Sequence, residues 1–199
     1  MMNVYSGLME VLSKEYHIPE TEFGEVMRLF YVLKQKKGER FVSEGEIPRA
    51  MAFVVNGLYK YYFVDHTGNE CIKHFAKEND FIASYASFIE QKPSNYCIEA
   101  MEPTELLVIK HKDYIRMIEQ NFNWQSVARK YAEHMYILKE TRETSLLKDY
   151  APERYLNFLR DNPDIIGRIK QKDIASYLGI APESLSRLKL NDSEISMIG

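Results

Sequence analysis

The chain has 199 residues, of which 45% are hydrophobic, and a formal net charge of −3. This length suits one large domain or two small ones with a sizeable core, and the weak acidity excludes a generally basic surface for nucleic acid. The longest apolar run, Ala50 to Val55, is too short to span a membrane, and the first residues lack the basic start of a secretory signal. We therefore expect a cytoplasmic protein that makes no membrane contact.

The cysteine content argues against a metal cluster. Cys71 and Cys97 are the two cysteines, and no CxxC pair is present. They cannot build a four-cysteine zinc or iron–sulfur site, and they suit a reducing compartment as free thiols.

The first part of the chain predicts two helices and then a β-domain. Residues 3–16 show helical spacing, and Thr21 can cap a second helix that runs to Phe30. From Tyr31 the apolar period moves toward two, in segments rich in β-branched and aromatic residues: 32–46, 50–64, 71–83 and 96–109. The segment Asp65 to Glu70 (DHTGNE) reads as a hairpin turn. Short strands at regular spacing predict a small barrel or sandwich.

Helical spacing returns at His111 to Gln120 and then over a long stretch from Trp124 to Lys148. A narrow apolar stripe follows this long helix, as in a coiled-coil seam; its members are Trp124, Val127, Tyr131, Met135 and Leu138. One interpretation is packing against the chain's own barrel. We favour the other, a seam between two chains of a homodimer.

The last part predicts three further helices. Tyr150 to Asp161 is helical, with Pro152 and Glu153 in its first turn and Asn162 and Pro163 at its end. Within Ile169 to Lys189, Ile174, Ala175 and Leu178 form one apolar face, and Leu185 and Leu188 form a second. Gly179 suits a left-handed helix end between them, and Pro182 suits a first-turn position. This pattern predicts a helix-turn-helix.

The second helix of this unit carries small and polar residues. In a helix-turn-helix the second helix enters the major groove of DNA. Arg168 to Lys189 holds five Lys/Arg against two Asp/Glu, which gives a local charge of +3. An ordinary helical hairpin is the alternative interpretation, which the polarity of the second helix disfavours. The predicted DNA-binding residues are Glu183, Ser184, Ser186, Arg187 and Lys189, with Lys170 and Lys172 on phosphates.

The order of parts resembles the Crp/Fnr superfamily of bacterial transcription regulators over nearly the whole chain. The motifs that carry the resemblance are KKGERFVSEGE, VVNGLYKYYFVDHTGNE, ERYLNFL and above all DIASYLGIAPESLSRLK. The resemblance implies an α+β protein with a jelly-roll-type, cyclic-nucleotide-binding-like β-roll (1–123), a dimerisation helix (124–149) and a C-terminal winged helix-turn-helix domain (150–199). It also implies that Glu183 and Arg187 match the family's base-contacting positions.

Three departures from the family pattern affect ligand and DNA binding. Where cyclic AMP-binding members carry Gly-Glu and Arg-Ser/Thr, this chain has Ala83–Ser84 and Ser94–Asn95, so no arginine can bind a cyclic phosphate. Any pocket kept by the roll should be lined by Ala83, Ser84, Tyr85, Ser94 and Asn95. Lys170 stands where a capping Ser/Thr is usual. Ten residues follow Lys189, so we expect the wing to be short or missing.

The five histidines include no HxH or HExxH pair, and no nucleophile motif is present, so we expect no enzyme activity, cofactor or metal site. We therefore expect a regulator that binds an inverted repeat of double-stranded DNA as a homodimer, with RNA polymerase as a candidate partner. It would not respond to cyclic AMP, and its effector is unknown or none. Two alternatives stay open, a ligand- or protein-binding roll with a vestigial DNA-binding domain and a barrel enzyme.

Overall fold

A computed structural model describes residues 4–196 of the chain, with side chains up to residue 189. Two short helices come first, α1 (Ser6–Lys14) and α2 (Phe23–Met27). Eight strands follow: β1 (Phe30–Gln35), β2 (Arg40–Val42), β3 (Ala50–Asn56), β4 (Tyr59–Val64), β5 (Glu70–Ala76), β6 (Phe81–Ile82), β7 (Cys97–Ala100) and β8 (Thr104–Lys110), with helix α3 (Tyr85–Glu90) between β6 and β7. The predicted second helix is therefore too long, because Phe30 begins a strand.

The strands form a roll of two four-stranded antiparallel sheets. One sheet has the order β1-β8-β3-β6 and the other the order β2-β7-β4-β5. The predicted hairpin at Asp65 to Glu70 joins β4 to β5, and its Asp65 carboxylate accepts bonds from the Thr67 and Asn69 N–H groups. Between the sheets lies an apolar core that includes Val54, Tyr61 and Leu106. The expected α+β fold with a jelly-roll-type domain is confirmed.

Two helices continue from the roll, α4 (His111–Gln120) and α5 (Phe122–Lys148). The side chain of Asn121 caps α5 by accepting a hydrogen bond from the Asn123 N–H at 2.9 Å. The first half of α5 lies against the roll and the N-terminal helices, which together form a second apolar cluster.

This packing corrects the predicted dimer stripe. Trp124, Val127 and Tyr131 are buried in the chain's own core, Met135 is partly buried against it, and Leu138 is at its exposed edge. The first three side chains cannot meet a second chain, because they fill the space between α5 and the roll. The exposed apolar residues of α5 lie on another face and include Tyr136, Ile137 and Leu147.

Three helices complete the described chain: α6 (Ala151–Asp161), α7 (Gln171–Leu178) and α8 (Pro182–Ser196). The Tyr150 N–H donates to the Glu153 side chain at 2.9 Å, which fixes the start of α6. α8 is longer than predicted and continues past Lys189 to Ser196, so residues 190–196 form helix rather than a wing hairpin. A wing segment at residues 197–199 would lie outside the described residues.

Candidate nucleic-acid interface

The turn between α7 and α8 has the geometry that its sequence predicts. Gly179 ends α7 with φ of +65°, in the left-handed region that favours glycine. The Ile180 N–H donates to the Ala175 carbonyl at 3.0 Å and closes the helix end. Pro182 then begins α8, and the Ala181 carbonyl accepts from the Ser184 N–H at 3.0 Å.

The described part of α8 has one side packed in an apolar cluster and one side exposed to solvent. Leu185 is fully buried in an apolar cluster with Ile174, Ala175 and Leu178 of α7. Glu183, Ser184, Ser186 and Arg187 are exposed, and Lys189 is half-buried. The Ser186 hydroxyl donates to the Pro182 carbonyl of its own helix at 3.2 Å. The structure thus brings the predicted base-reading residues together on one exposed surface.

The predicted phosphate-binding lysines lie at the start of α7. Lys170 is its N-cap residue and makes no side-chain capping bond, as the sequence suggested. Lys170 and Lys172 are both exposed. Exposed lysines beside a helix N-terminus suit contact with a phosphate backbone.

Arg168, by contrast, is not free for DNA. Its guanidinium donates to both carboxylate oxygens of Glu78, at 3.0 and 2.8 Å, and to Glu102 at 2.5 Å. These bonds raise the pKa of Arg168, with Glu78 the larger cause. Burial alone would raise the pKa of Glu78, but the bonds from Arg168 and from the Gly57 N–H lower it. This cation of the basic segment therefore ties the C-terminal helices to the roll.

Helix α7 also closes the edge of the roll. Strand β5 is an edge strand, and the Ser176 hydroxyl of α7 accepts from the Ile72 N–H at 2.9 Å and donates to the Glu70 carbonyl at 2.8 Å. Arg142 of α5 donates to the Ile72 carbonyl at 3.1 Å and to the Tyr177 carbonyl at 2.8 Å. Side chains from two helices thus satisfy backbone groups that an open sheet edge would leave unpaired.

A buried charged cluster lies beneath α7. The ammonium of Lys60 is 2.5 Å from a Glu70 oxygen and 3.4 Å from a Glu99 oxygen, and the Tyr62 hydroxyl donates to Glu99 at 2.8 Å. Asp173 of α7 is also buried, and burial raises its pKa although Lys60 opposes the change. Periodicity could not reveal this cluster, because its members come from three strands and a helix.

The residues expected to line an effector pocket do not share one cavity. Ala83, Ser84 and Ser94 are buried, and the two serine hydroxyl oxygens lie 2.9 Å apart. Tyr85 instead packs on Tyr131, with ring centroids 4.9 Å apart, while Asn95 is exposed on the surface.

Tyrosine rings occupy the interior of the roll near these serines. Tyr61 packs on Tyr96 with ring centroids 5.8 Å apart, and burial raises the pKa of both phenols. Sequence pattern alone could not predict this role, because tyrosines in a strand fit any sheet.

Within residues 4–189, whose side chains the structure describes, no group of three or more His, Cys, Asp or Glu side chains is placed to hold a metal ion. Cys71 and Cys97 are free thiols. No helix in this part of the chain is long and apolar enough to cross a membrane.

Comparisons with known proteins agree with this architecture. Residues 32–121 match the model of the cyclic nucleotide-binding domain family. A comparison with curated protein sequences finds no match.

Several solved structures share the fold. FixK2 from Bradyrhizobium japonicum gives a TM-score of 0.76 at 18% identity, covering 84% of this chain and 86% of that one. The c-di-GMP responsive global regulator CLP of Xanthomonas campestris gives 0.68 at 12% identity, with coverages of 88% and 93%. The catabolite activator protein of Thermus thermophilus gives 0.53 at 17% identity, with coverages of 96% and 88%. Residues 32–121 thus match a cyclic nucleotide-binding domain, and most of the chain shares the fold of these solved structures.

Proposed function

We propose that this protein is a sequence-specific, dimeric DNA-binding transcription regulator that does not respond to cyclic AMP. The observation that carries the proposal is the exposed polar surface of α8. Leu185 anchors this helix while Glu183, Ser184, Ser186 and Arg187 remain free. Structural neighbours of the chain are transcription regulators of the Crp/Fnr type, which supports the same assignment.

The residues that contact DNA bases would lie in the N-terminal half of α8. Arg187 can donate two parallel hydrogen bonds to guanine O6 and N7, a contact worth about 1–3 kcal/mol of discrimination. Glu183 lies one turn earlier and can accept from a cytosine amine or orient Arg187. Ser184 and Ser186 are the adjacent small polar residues, although the bond from Ser186 to Pro182 occupies its proton.

Affinity without sequence preference comes from the lysines. Lys170, Lys172 and Lys189 flank the reading surface and suit contacts to phosphates, which release counterions and make binding salt-dependent. The chain has a net charge of −3, so this attraction depends on the local patch.

Dimerisation would use the outer face of α5, in place of the buried stripe. Tyr136, Ile137 and Leu147 are exposed there by 65%, 59% and 82%. Two shallow grooves follow this face, one beside Ala132 and Glu133 and one beside Lys139 and Glu143. Two such helices in parallel would bury the apolar residues and pair lysines with glutamates. The two-fold axis would place two recognition helices about 34 Å apart, on an inverted repeat.

The other expected properties depend on this assignment. A DNA-bound regulator of this type would lie in the cytoplasm and meet RNA polymerase at a promoter. The proposal includes no enzymatic step. An effector need not occupy the roll, because Tyr61 and Tyr96 pack on each other inside it and the Ser84 and Ser94 hydroxyl groups pair with each other.

The test is a binding selection on random duplexes with the wild type, Arg187→Ala and Lys172→Ala. We expect the wild type to select a palindrome, and Arg187→Ala to lose preference for one base pair in each half-site. Lys172→Ala should weaken all sequences alike and reduce the salt slope by about one. If the wild type selects no palindrome, a ligand- or protein-binding module with a vestigial DNA-binding domain takes its place.

A further inference from the structure

The second half of α5, helix α6 and the end of α7 enclose a cleft of about 350 Å³ against strand β5. This volume is in the range of small-molecule sites. Three helices and strand β5 form its walls, and it lies between the roll and the C-terminal helices. We call it the interdomain cleft.

Two arginines bring positive charge to the cleft, and neither pairs with a carboxylate among the side chains that the structure describes. Arg142 donates to the carbonyls of Ile72 and Tyr177. Arg154 donates to the carbonyls of Leu178, at 2.9 Å, and Asp149, at 2.6 Å. A carbonyl holds a guanidinium in place but does not neutralise its charge. Arg160 also lines the cleft, and it is paired with Asp161 at 3.0 Å.

The positive charge at the cleft affects the pKa values of neighbouring titratable groups. Burial lowers the pKa of Arg142, Tyr177 opposes this change, and Arg154 lowers the pKa further. Burial, Lys139 and Arg142 lower the pKa of Lys73. The pKa of His74 falls to about 4, first through burial and then through Lys73, Arg142 and His134. An anion in the cleft would relieve this repulsion.

The remaining walls suit an organic ligand. Phe75, Phe158 and Tyr177 pack together at the cleft, with ring centroids 5.2 to 6.2 Å apart. Thr141 and Asn157 add a hydroxyl and an amide. The cleft therefore combines unpaired guanidinium groups with an aromatic wall.

We propose that the interdomain cleft binds a phosphate-bearing small molecule, with Arg142 and Arg154 holding the phosphate. Guanidinium groups match phosphate oxygens in geometry and charge. Because residues of α5, α6 and α7 all line the cleft, a bound ligand joins the long helix to the α7–α8 pair. The site is separate from the position in the roll where a cyclic phosphate binds in related proteins.

The test is calorimetry on the full chain at low salt, without DNA, so its outcome is independent of the proposed function. The probes are pyrophosphate, adenosine monophosphate and uncharged adenosine. We expect both phosphate probes to bind saturably and adenosine to bind at least about tenfold more weakly. Absence of saturable binding for both phosphate probes at millimolar concentration overturns the proposal.

A charge placed in the cleft separates binding from folding. Asn157→Asp adds a carboxylate beside Arg142 and Arg154, so the fold should be as stable as the wild type or more stable. Phosphate binding should nevertheless weaken by about tenfold or more. The matched control is Asn56→Asp, at an exposed position at the end of β3, which should leave binding unchanged. Equal binding by wild type and Asn157→Asp, or loss of binding in Asn56→Asp alone, contradicts the site.

The His74 imidazole gives a second measurement. Pyrophosphate in the cleft should raise the pKa of His74, because a nearby anion favours the charged imidazole. An NMR titration with and without pyrophosphate follows this shift in the wild type and in Asn157→Asp. Binding that leaves the His74 pKa unchanged would place the anion elsewhere.

Discussion

The hydroxyl of Ser176 on α7 accepts a hydrogen bond from the Ile72 backbone N–H, 104 residues away in sequence, and donates one to the Glu70 carbonyl. One side chain of α7 thereby takes the position of a neighbouring strand at the edge of the roll. The two parts of the chain are thus joined through backbone groups of β5, and this junction fixes where α7, and with it α8, lies on the roll.

Ser176→Ala should lower the free energy of unfolding by about 1–3 kcal/mol, because it leaves two backbone groups of β5 without their partner. Urea denaturation followed by circular dichroism measures this change. The control is Ser186→Ala, whose exposed hydroxyl bonds only within α8 and should change stability by less than about 0.5 kcal/mol. Equal effects of the two variants would mean that the junction adds nothing to stability.

His74 should make the protein less stable in weak acid. Its pKa is about 4 in the folded chain and 6.5 in a free side chain, so the folded state keeps it neutral where the unfolded state is protonated. The contribution of His74 to the free energy of unfolding is complete above pH 6.5 and is lost as pH falls toward 4. The free energy of unfolding changes over this range by at most about 1.4 kcal/mol per pH unit. In His74→Gln this part of the slope should be absent. Denaturation curves across this window compare the two proteins.

The Arg168–Glu78 pair should add a second loss of stability at lower pH. The pKa of Glu78 is lowered from its usual 4.5, so its contribution is present above 4.5 and disappears as pH falls through the lower folded value. Arg168→Gln should flatten the stability profile below pH 4.5 and leave the His74 slope intact. A profile of the same shape in wild type and Arg168→Gln would show that the pair does not hold the domains together.

Cyclic AMP should fail to bind at micromolar concentration. The roll has Ser94–Asn95 where cyclic AMP-binding members of the resembled family carry a phosphate-binding arginine, so a buried phosphate charge would stay unpaired. Calorimetry with the full chain measures this. Micromolar binding that persists in Asn157→Asp, which blocks the interdomain cleft, would contradict the argument.

The sequence predicted local structure well. It predicted poorly which part of the chain covers each helix face or pairs with each charge. Gly179, Pro182 and the spacing of Ile174, Leu178 and Leu185 were enough to place α7, its turn and the start of α8. These features depend on backbone conformation within a few residues. The local charge of +3 included Arg168, but this charge is paired within the chain. Its carboxylate partners lie 66 and 90 residues away in the sequence, so a count over one segment misses them.

The prediction that the apolar stripe of α5 forms a seam between two chains failed for a related reason. Periodicity identifies which side of a helix is buried, but it does not identify what buries it. Trp124, Val127 and Tyr131 lie at the spacing of a coiled-coil seam, and the chain's own roll covers them. The same limit hid the interdomain cleft, whose residues come from β5 and three helices.

This correction leads to a paired test of dimerisation. Ile137 is exposed on α5 and Tyr131, less than two turns earlier, is buried in the core of the same chain. Ile137→Glu should yield folded monomers that still melt cooperatively, because it places a charge in the proposed seam and leaves the core of the chain intact. Tyr131→Glu should unfold the chain, because a buried unpaired carboxylate costs more than about 3 kcal/mol.

Light scattering gives the mass of each variant, and thermal melts give its stability. Gln120→Glu, on the exposed side of α4, is the control and should keep both the mass and the melting temperature of the wild type. If Ile137→Glu stays dimeric, the seam lies on another surface. If Tyr131→Glu folds and becomes monomeric, the original stripe, rather than the outer face of α5, joins the two chains.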